Sequence, residues 1–121
     1  MVNSSPYFHV QPFESSNGLQ FLSFAKGNNF HKDLYSQLVA PSLKINLLTE
    51  TWQHGSKLNI GSSCDLPNTV EDITDVNIEF SGSGDAYSFY DMNDHSKFAI
   101  SKSAAEPYVC IGDINRQVSS F

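Results

Sequence analysis

The chain has 121 residues, enough for one domain that buries roughly two-thirds of its unfolded surface. It is 40% hydrophobic and 17% charged, with nine Phe, five Tyr and one Trp, which is a globular composition with an aromatic-rich interior. Thirteen acidic against seven basic residues give −6 with neutral histidines, and this argues against a passive basic nucleic-acid binder, because phosphate affinity comes from Lys and Arg.

That balance depends on pH. Four histidines titrate near ~6.5, so at about pH 5 the charge would rise to about −2 and a polyanion would be met more easily. No run approaches the ~20 apolar residues of a membrane helix. The N-terminus, "MVNSSPYFHVQPF", has neither a basic start nor an unbroken apolar stretch and does not read as a signal peptide. The expectation is a chain that stays in the cytosol, or a piece of something longer.

In chain order, residues 1–17 are rich in Ser, Pro and Asn and read as a loop or extended arm, with a weak glycosylation sequon at Asn3-Ser4-Ser5. "GLQFLSFAK" (18–26) has apolar residues on both faces and predicts a well-covered strand. "HKDLYSQLVAPSL" (31–43) places Leu34, Leu38 and Val39 at helical spacing with Asp33 in the first turn, and Pro41 is expected to end or cap that helix. "LKINLLTETW" (43–52) alternates as a strand, with Leu43, Ile45 and Leu47 inward. Residues 54–68 are turn-rich. "VEDITDVNIEF" (70–80) favours a strand through Val76, Ile78 and Phe80, and "SGSGDAYSFYDMN" (81–93) reads as a flexible loop. "HSKFAIS" (95–101) predicts a strand, 101–107 a turn, and "YVCIGDIN" (108–115) a strand ending at Gly112. The pattern β–α–β–β–β–β belongs to an α/β or α+β domain. Trp52 and the phenylalanines read as core. Tyr87, Phe89 and Tyr90 read as packing under their loop, with base stacking as the alternative. Lys26 and Lys32 read as solvated surface, with a DNA groove as the alternative. Cys64 and Cys110 lack CxxC spacing and read as two buried thiols or one disulfide.

The chemistry concentrates at 95–97 and 112–116. On a strand, residues two apart face the same way, so His95 and Lys97 project together. Asp113 and Asn115 repeat that geometry on the next predicted strand. If the two strands pair as a hairpin, an imidazole, an ammonium and an amide converge. That set suits a phosphodiester: the imidazole attacks phosphorus or donates a proton, while the ammonium and amide hold non-bridging oxygens. On this pattern alone, solvated strand surface is the commoner outcome.

"DHSKFAIS" followed by "YVCIGDINR" resembles the deoxyribonuclease II family of the phospholipase D superfamily, whose HxK motif is followed by a Gly-x-x-Asn segment. Here these are His95, Lys97, Gly112 and Asn115. "LQFLSFAKGNNFHKDLYSQLVAPSL" and "LPNTVEDITDVNIEF" extend the resemblance over roughly residues 18–117. It implies a phospholipase D-like half domain, a mixed sheet with a flanking helix, over 18–121. It also implies metal-free cleavage of DNA at acid pH to 3′-phosphate ends, with no cofactor. His95 would be a catalytic histidine, Lys97 and Asn115 phosphate-binding residues, and Asp113 and Arg116 supporting members of the segment. The family is lysosomal or secreted.

The family site needs two HxK motifs, and this sequence has one. His31-Lys32 is adjacent, His54 to Lys57 is one residue too long, and His9 has no lysine partner. In the family the resemblance points to, the cysteines matching Cys64 and Cys110 bridge to a tail beyond the point matching "VSSF", which implies that here the two thiols are orphans or bridge each other; position 99, often cysteine in relatives, is Ala99. It further implies an apolar face for a second half-site, supplied by an N-terminal half or by a homodimer. The competing expectation is a truncated, inactive relative that binds nucleic acid or protein.

Overall fold

The computed structural model describes residues 3–52 and 60–118. Among the described residues it is an α+β structure of three small sheets, one helical segment and two short 3-10 turns, Asn28–Phe30 and Asp91–Asn93. Strands β1 (Asn3–Ser4), β2 (Phe8–Glu14) and β3 (Gln20–Lys26) form an antiparallel sheet in that order. The N-terminal stretch is therefore extended and paired, with Phe8 opposite Lys26 and Glu14 opposite Gln20. Pro12 fits inside β2 because odd residues of β2 bond towards β3; the carbonyl of Tyr7 accepts from the N–H of Gly27 at 2.8 Å. Even residues face β1, whose described pairing ends at Asn3 opposite Val10, so the missing N–H of Pro12 costs no bond in the β2–β3 ladder. The predicted well-covered strand at 18–26 is instead largely exposed. The hairpin tip runs beyond the core, and Phe13 and Phe21 stack on each other in solvent with ring centroids 5.1 Å apart.

The helical segment starts at Leu34, widens into a π-helical turn over Tyr35–Val39, and continues as helix α1 (Ala40–Leu43). The Asp33 carboxylate accepts from the N–H of Ser36 at 2.9 Å and so caps its start. Pro41 does not end the helix. A proline cannot donate to the preceding turn, and here that turn is the wide one, with the N–H of Ala40 reaching back to the carbonyl of Tyr35. Termination comes at Lys44, in a left-handed conformation with φ 57°.

The central sheet has four strands in the order β5 (Val70–Asp72), β4 (Leu47–Glu50), β8 (Phe98–Ser101) and β9 (Val109–Ile111). β4 and β5 are parallel, and the other pairs are antiparallel. Leu47, Val70 and Ala99 share one face and join Leu34, Tyr35, Leu38, Val39, Ala40, Ile45 and Val10 in a single core. Each of the larger side chains contributes roughly 1.5–3 kcal/mol by leaving water. The opposite face is open: Ile100, Val109 and Ile111 are 37%, 75% and 91% exposed.

Other elements differ from the sequence expectation. The run 70–80 splits at Ile73–Thr74 into β5 and β6 (Asp75–Glu79), which belong to different sheets. Residues 81–93 are not one flexible loop. Only the turn is irregular, with Gly82 and Gly84 at φ 100° and 76°, and Ala86–Tyr90 forms β7, paired with β6 from Asp75↔Tyr90 to Glu79↔Ala86. A 3-10 turn, Asp91–Asn93, follows. Regular strand begins at Phe98 rather than at residue 95. Phe13, Phe21 and Phe80 are exposed rather than core, as are Tyr87 and Tyr90. Cys64 and Cys110 are both free thiols, with Cys64 exposed and Cys110 partly buried. The pair His54 and Lys57 lies outside the described residues. Among the described residues no helix is long and apolar enough to cross a membrane.

Candidate active site

β8 and β9 form the hairpin on which convergence depends, with Phe98 opposite Ile111. One further rung extends it past the strands: the N–H of Gly112 donates to the carbonyl of Lys97 at 2.8 Å. This rung fixes the segment carrying His95 and Lys97 to the turn carrying Asp113 and Asn115. Gly112 is needed there because an added Cβ would lie 2.7 Å from the hydroxyl of Tyr35. That hydroxyl is itself held, donating to the carbonyl of Ile114 at 3.2 Å. Burial, with help from Asp33, raises the Tyr35 pKa well above the ordinary phenol value, so it remains a donor.

Trp52 is the centre of the arrangement. Its ring stacks on the imidazole of His95, with centroids 4.2 Å apart and planes 24° from parallel. Its indole N–H donates to the carbonyl of Met92 at 3.2 Å. Its backbone N–H donates to Oδ1 of Asn115 at 3.0 Å. His95 and Asn115 are thus tied to one residue at the end of β4. His95 is exposed, Lys97 and Asn115 are partly buried, and Asp113 is exposed on the turn. The Lys97 ammonium folds back and donates to the carbonyl of His95 at 2.6 Å. Asp94 accepts from both the N–H (2.9 Å) and the hydroxyl of Ser96, which shapes the bend before Lys97.

Arg116 sits beneath this group with no exposure. Its guanidinium donates to Asp33 (3.1 Å), Asp72 (2.6 Å), the carbonyl of Gly61 (2.9 Å) and Ser63 (2.9 Å), and its backbone N–H reaches Oγ1 of Thr51 at 3.3 Å. Its contacts make it a support for the turn rather than a group facing solvent. Lys26 is also engaged. It donates to the carbonyls of Lys32 (2.7 Å) and Gln117 (2.9 Å), and burial lowers its pKa against the opposing pull of Asp33. Glu50, at the end of β4, has no exposure, and burial together with Asp94, Asp91 and Asp72 pushes its pKa up to about 7. Among the described residues no group of three or more His, Cys, Asp or Glu side chains is placed to hold a metal ion.

The residues that sequence reasoning missed are Trp52, Glu50 and Tyr35. Trp52 reads as core because of its type, and its contact with His95 crosses 43 positions, which periodicity does not register. The strand-to-turn position of "TETW" was the available signal.

The deoxyribonuclease II family model matches residues 1–121. The chain is 40% identical over 116 residues to Deoxyribonuclease-2 of Caenorhabditis elegans, covering 96% of this chain and 29% of that protein. It is 36% identical over 120 residues to Plancitoxin-1 of Acanthaster planci (99% and 32%) and 38% identical over 104 residues to Deoxyribonuclease-2-beta of Homo sapiens (85% and 27%). The chain therefore spans about a third or less of the length of these relatives. No solved structure matches it. Its HxK and Gly-x-x-Asn segments are joined by one backbone rung, and the family match runs from first residue to last; the chain belongs to the deoxyribonuclease II family, whose fold is phospholipase D-like.

Proposed function

We propose that this chain supplies one half of a metal-independent phosphodiesterase site acting on DNA in acid, with residues 18–121 corresponding to the C-terminal half of a deoxyribonuclease II domain. The observation that carries the reading is the tethering of His95 and Asn115 to Trp52, with Lys97 fixed by the rung to Gly112. In this reading the His95 imidazole attacks phosphorus and the bond to the 5′ oxygen breaks. A histidine of a second half-site protonates that oxygen, or the two histidines exchange these roles. Water then cleaves the phosphorus–nitrogen bond and leaves a 3′-phosphate. Lys97 swings from the His95 carbonyl to a non-bridging oxygen, where the amide of Asn115 also donates. Asp113 stays at the rim, and Arg116 positions the turn. The second half-site comes from an N-terminal half or from another copy docked on the open face at Ile100, Val109 and Ile111. A lysosomal or secreted setting fits the same reading.

The test is plasmid cleavage in EDTA at about pH 5, on chain whose oligomeric state is fixed by light scattering. Cleavage by a dimer, abolished in His95→Ala, is the expected outcome. A folded chain that cuts nothing, alone or mixed with an N-terminal half, overturns it. The second reading, an inactive binding module, draws on the inward-folded Lys97 and the single HxK motif. Under it, DNA binding survives His95→Ala and no cleavage occurs in either protein.

A further inference from the structure

We propose that Glu50 is a positioning residue for His95: its carboxyl must be neutral for the segment Asp91–Lys97, which carries the histidine, to close over the end of β4. The inference rests on the reading of His95 as the site histidine and deepens it by naming a group that makes the site depend on acid.

Glu50 is the last residue of β4 and has no accessible surface, yet neither Oε1 nor Oε2 has a hydrogen-bond partner among the described residues. A buried carboxylate in that position is costly; a buried carboxylic acid is far less so. The cover over it is local. Glu50 stands opposite Phe98, the residue after Lys97, and its neighbours along that face, Ile100, Val109 and Ile111, are open to solvent. The charged groups acting on it come from two directions: Asp91 and Asp94 from the segment before β8, and Asp72 from β5. No other residue of β4 carries a charge, and β8 and β9 carry none. Among the described residues, Arg116 is committed to Asp33 and Asp72, and Lys97 to the His95 carbonyl. Burial first, and then the three carboxylates, move its pKa from 4.5 to about 7.

Ionisation at neutral pH therefore puts a negative charge at a buried position that Asp91, Asp94 and Asp72 already act on, the last of these paired with Arg116. The segment 91–97 is the part that can give way. Among the described residues its backbone is anchored outside itself by the N–H of Asp91 donating to the carbonyl of Thr74 (3.0 Å), the Met92 carbonyl accepting from the Trp52 indole, and the Lys97–Gly112 rung. Its outward movement releases the indole and unstacks His95.

Trp52 is the chain's one tryptophan, so a 15N-labelled sample gives a single indole N–H resonance that reports this contact. The 121-residue chain is titrated from about pH 5 to about pH 8.5, with a parallel His95→Gln sample that removes the stacked imidazole. The expected result is an indole that shifts and loses exchange protection with a midpoint near 7, in both samples. Glu50→Gln, the neutral isostere, is expected to hold the acid-form resonance to the top of the range. Asp91→Asn is expected to lower the midpoint by at least about 0.3 unit, because one like charge is gone. An unchanged transition in Glu50→Gln, or no transition in the unmodified chain, overturns the proposal. Should Glu50→Gln fail to fold, an unchanged midpoint in Asp91→Asn does the same. DNA takes no part in the experiment, so a chain that never cuts DNA still passes or fails it.

Discussion

At the scale of single residues, the Gly-x-x-Asn spacing has a steric explanation in this chain. Gly112 lies where a strand rung becomes the turn that carries Asn115, and its α-hydrogen faces the Tyr35 hydroxyl. Tyr35 is 2% exposed and bonded to Ile114, so it has no room to retreat. Gly112→Ala is therefore expected to cost about 1–3 kcal/mol, the usual range for overpacking. The strain enters at the turn, so Asn115 should lose its place beside Trp52 before the fold is lost. Denaturant melts measure the first effect. The second appears as a shifted indole resonance at a pH where the protein is still folded. A variant of unchanged stability and unchanged indole position would show that the contact is not tight.

At the scale of elements, Arg116 joins parts that are distant in sequence. Its guanidinium ties the start of the helical segment (Asp33) to the end of β5 (Asp72) and to Gly61 and Ser63, while its backbone meets Thr51 beyond β4. Removing the arginine leaves two carboxylates without it, one of them fully buried, so Arg116→Ala is expected to cost about 3–5 kcal/mol, as broken buried pairs do. Arg116→Lys should recover little, because one ammonium cannot reproduce a planar fork with four acceptors. Thermal melts of both variants check this. Such long-range ties also decide what was legible in the sequence. The helical spacing of Leu34, Leu38 and Val39 and the alternation of Ile45 and Leu47 carry local signals: the helical segment is present, while the strand predicted over 43–52 is confined to Leu47–Glu50, with Leu43 ending helix α1 and Ile45 buried ahead of the strand. The hairpin that joins the HxK and Gly-x-x-Asn segments was legible as a pairing of two short apolar runs. β7 was not, because the glycines and serines before it outweigh the strand-forming Tyr87, Phe89 and Tyr90. Nor was the start of β8, since Asp94 bends the chain through Ser96 and delays the strand to Phe98. His95 and Lys97 are consequently gathered by a rung, a stacked indole and a carboxylate bend, and not by strand alternation.

For the whole molecule, the charge distribution and the open sheet face point in one direction. A net charge of −6 with neutral histidines, and the acids at positions 91 and 94 beside the candidate site, oppose a phosphate at neutral pH. Stability is expected to follow the same direction through Glu50. Its carboxyl is raised in the folded state from 4.5 to about 7, so between those values the native protein holds more protons than the unfolded chain. Stability therefore falls as pH rises: the full contribution is present below the unfolded value and is lost as pH passes through the folded one. The melting temperature of the unmodified chain should decline by several degrees from about pH 5 to about pH 8. Glu50→Gln has no proton to lose at this position and should give a flatter profile, meeting the unmodified chain at the acid end and exceeding it at the neutral end. If the two profiles run parallel, the pH dependence lies in other groups. If Glu50→Gln is the less stable protein at pH 8, the ionised carboxylate has a partner that stabilises it, and the corner is not the uncompensated acidic site argued from its geometry.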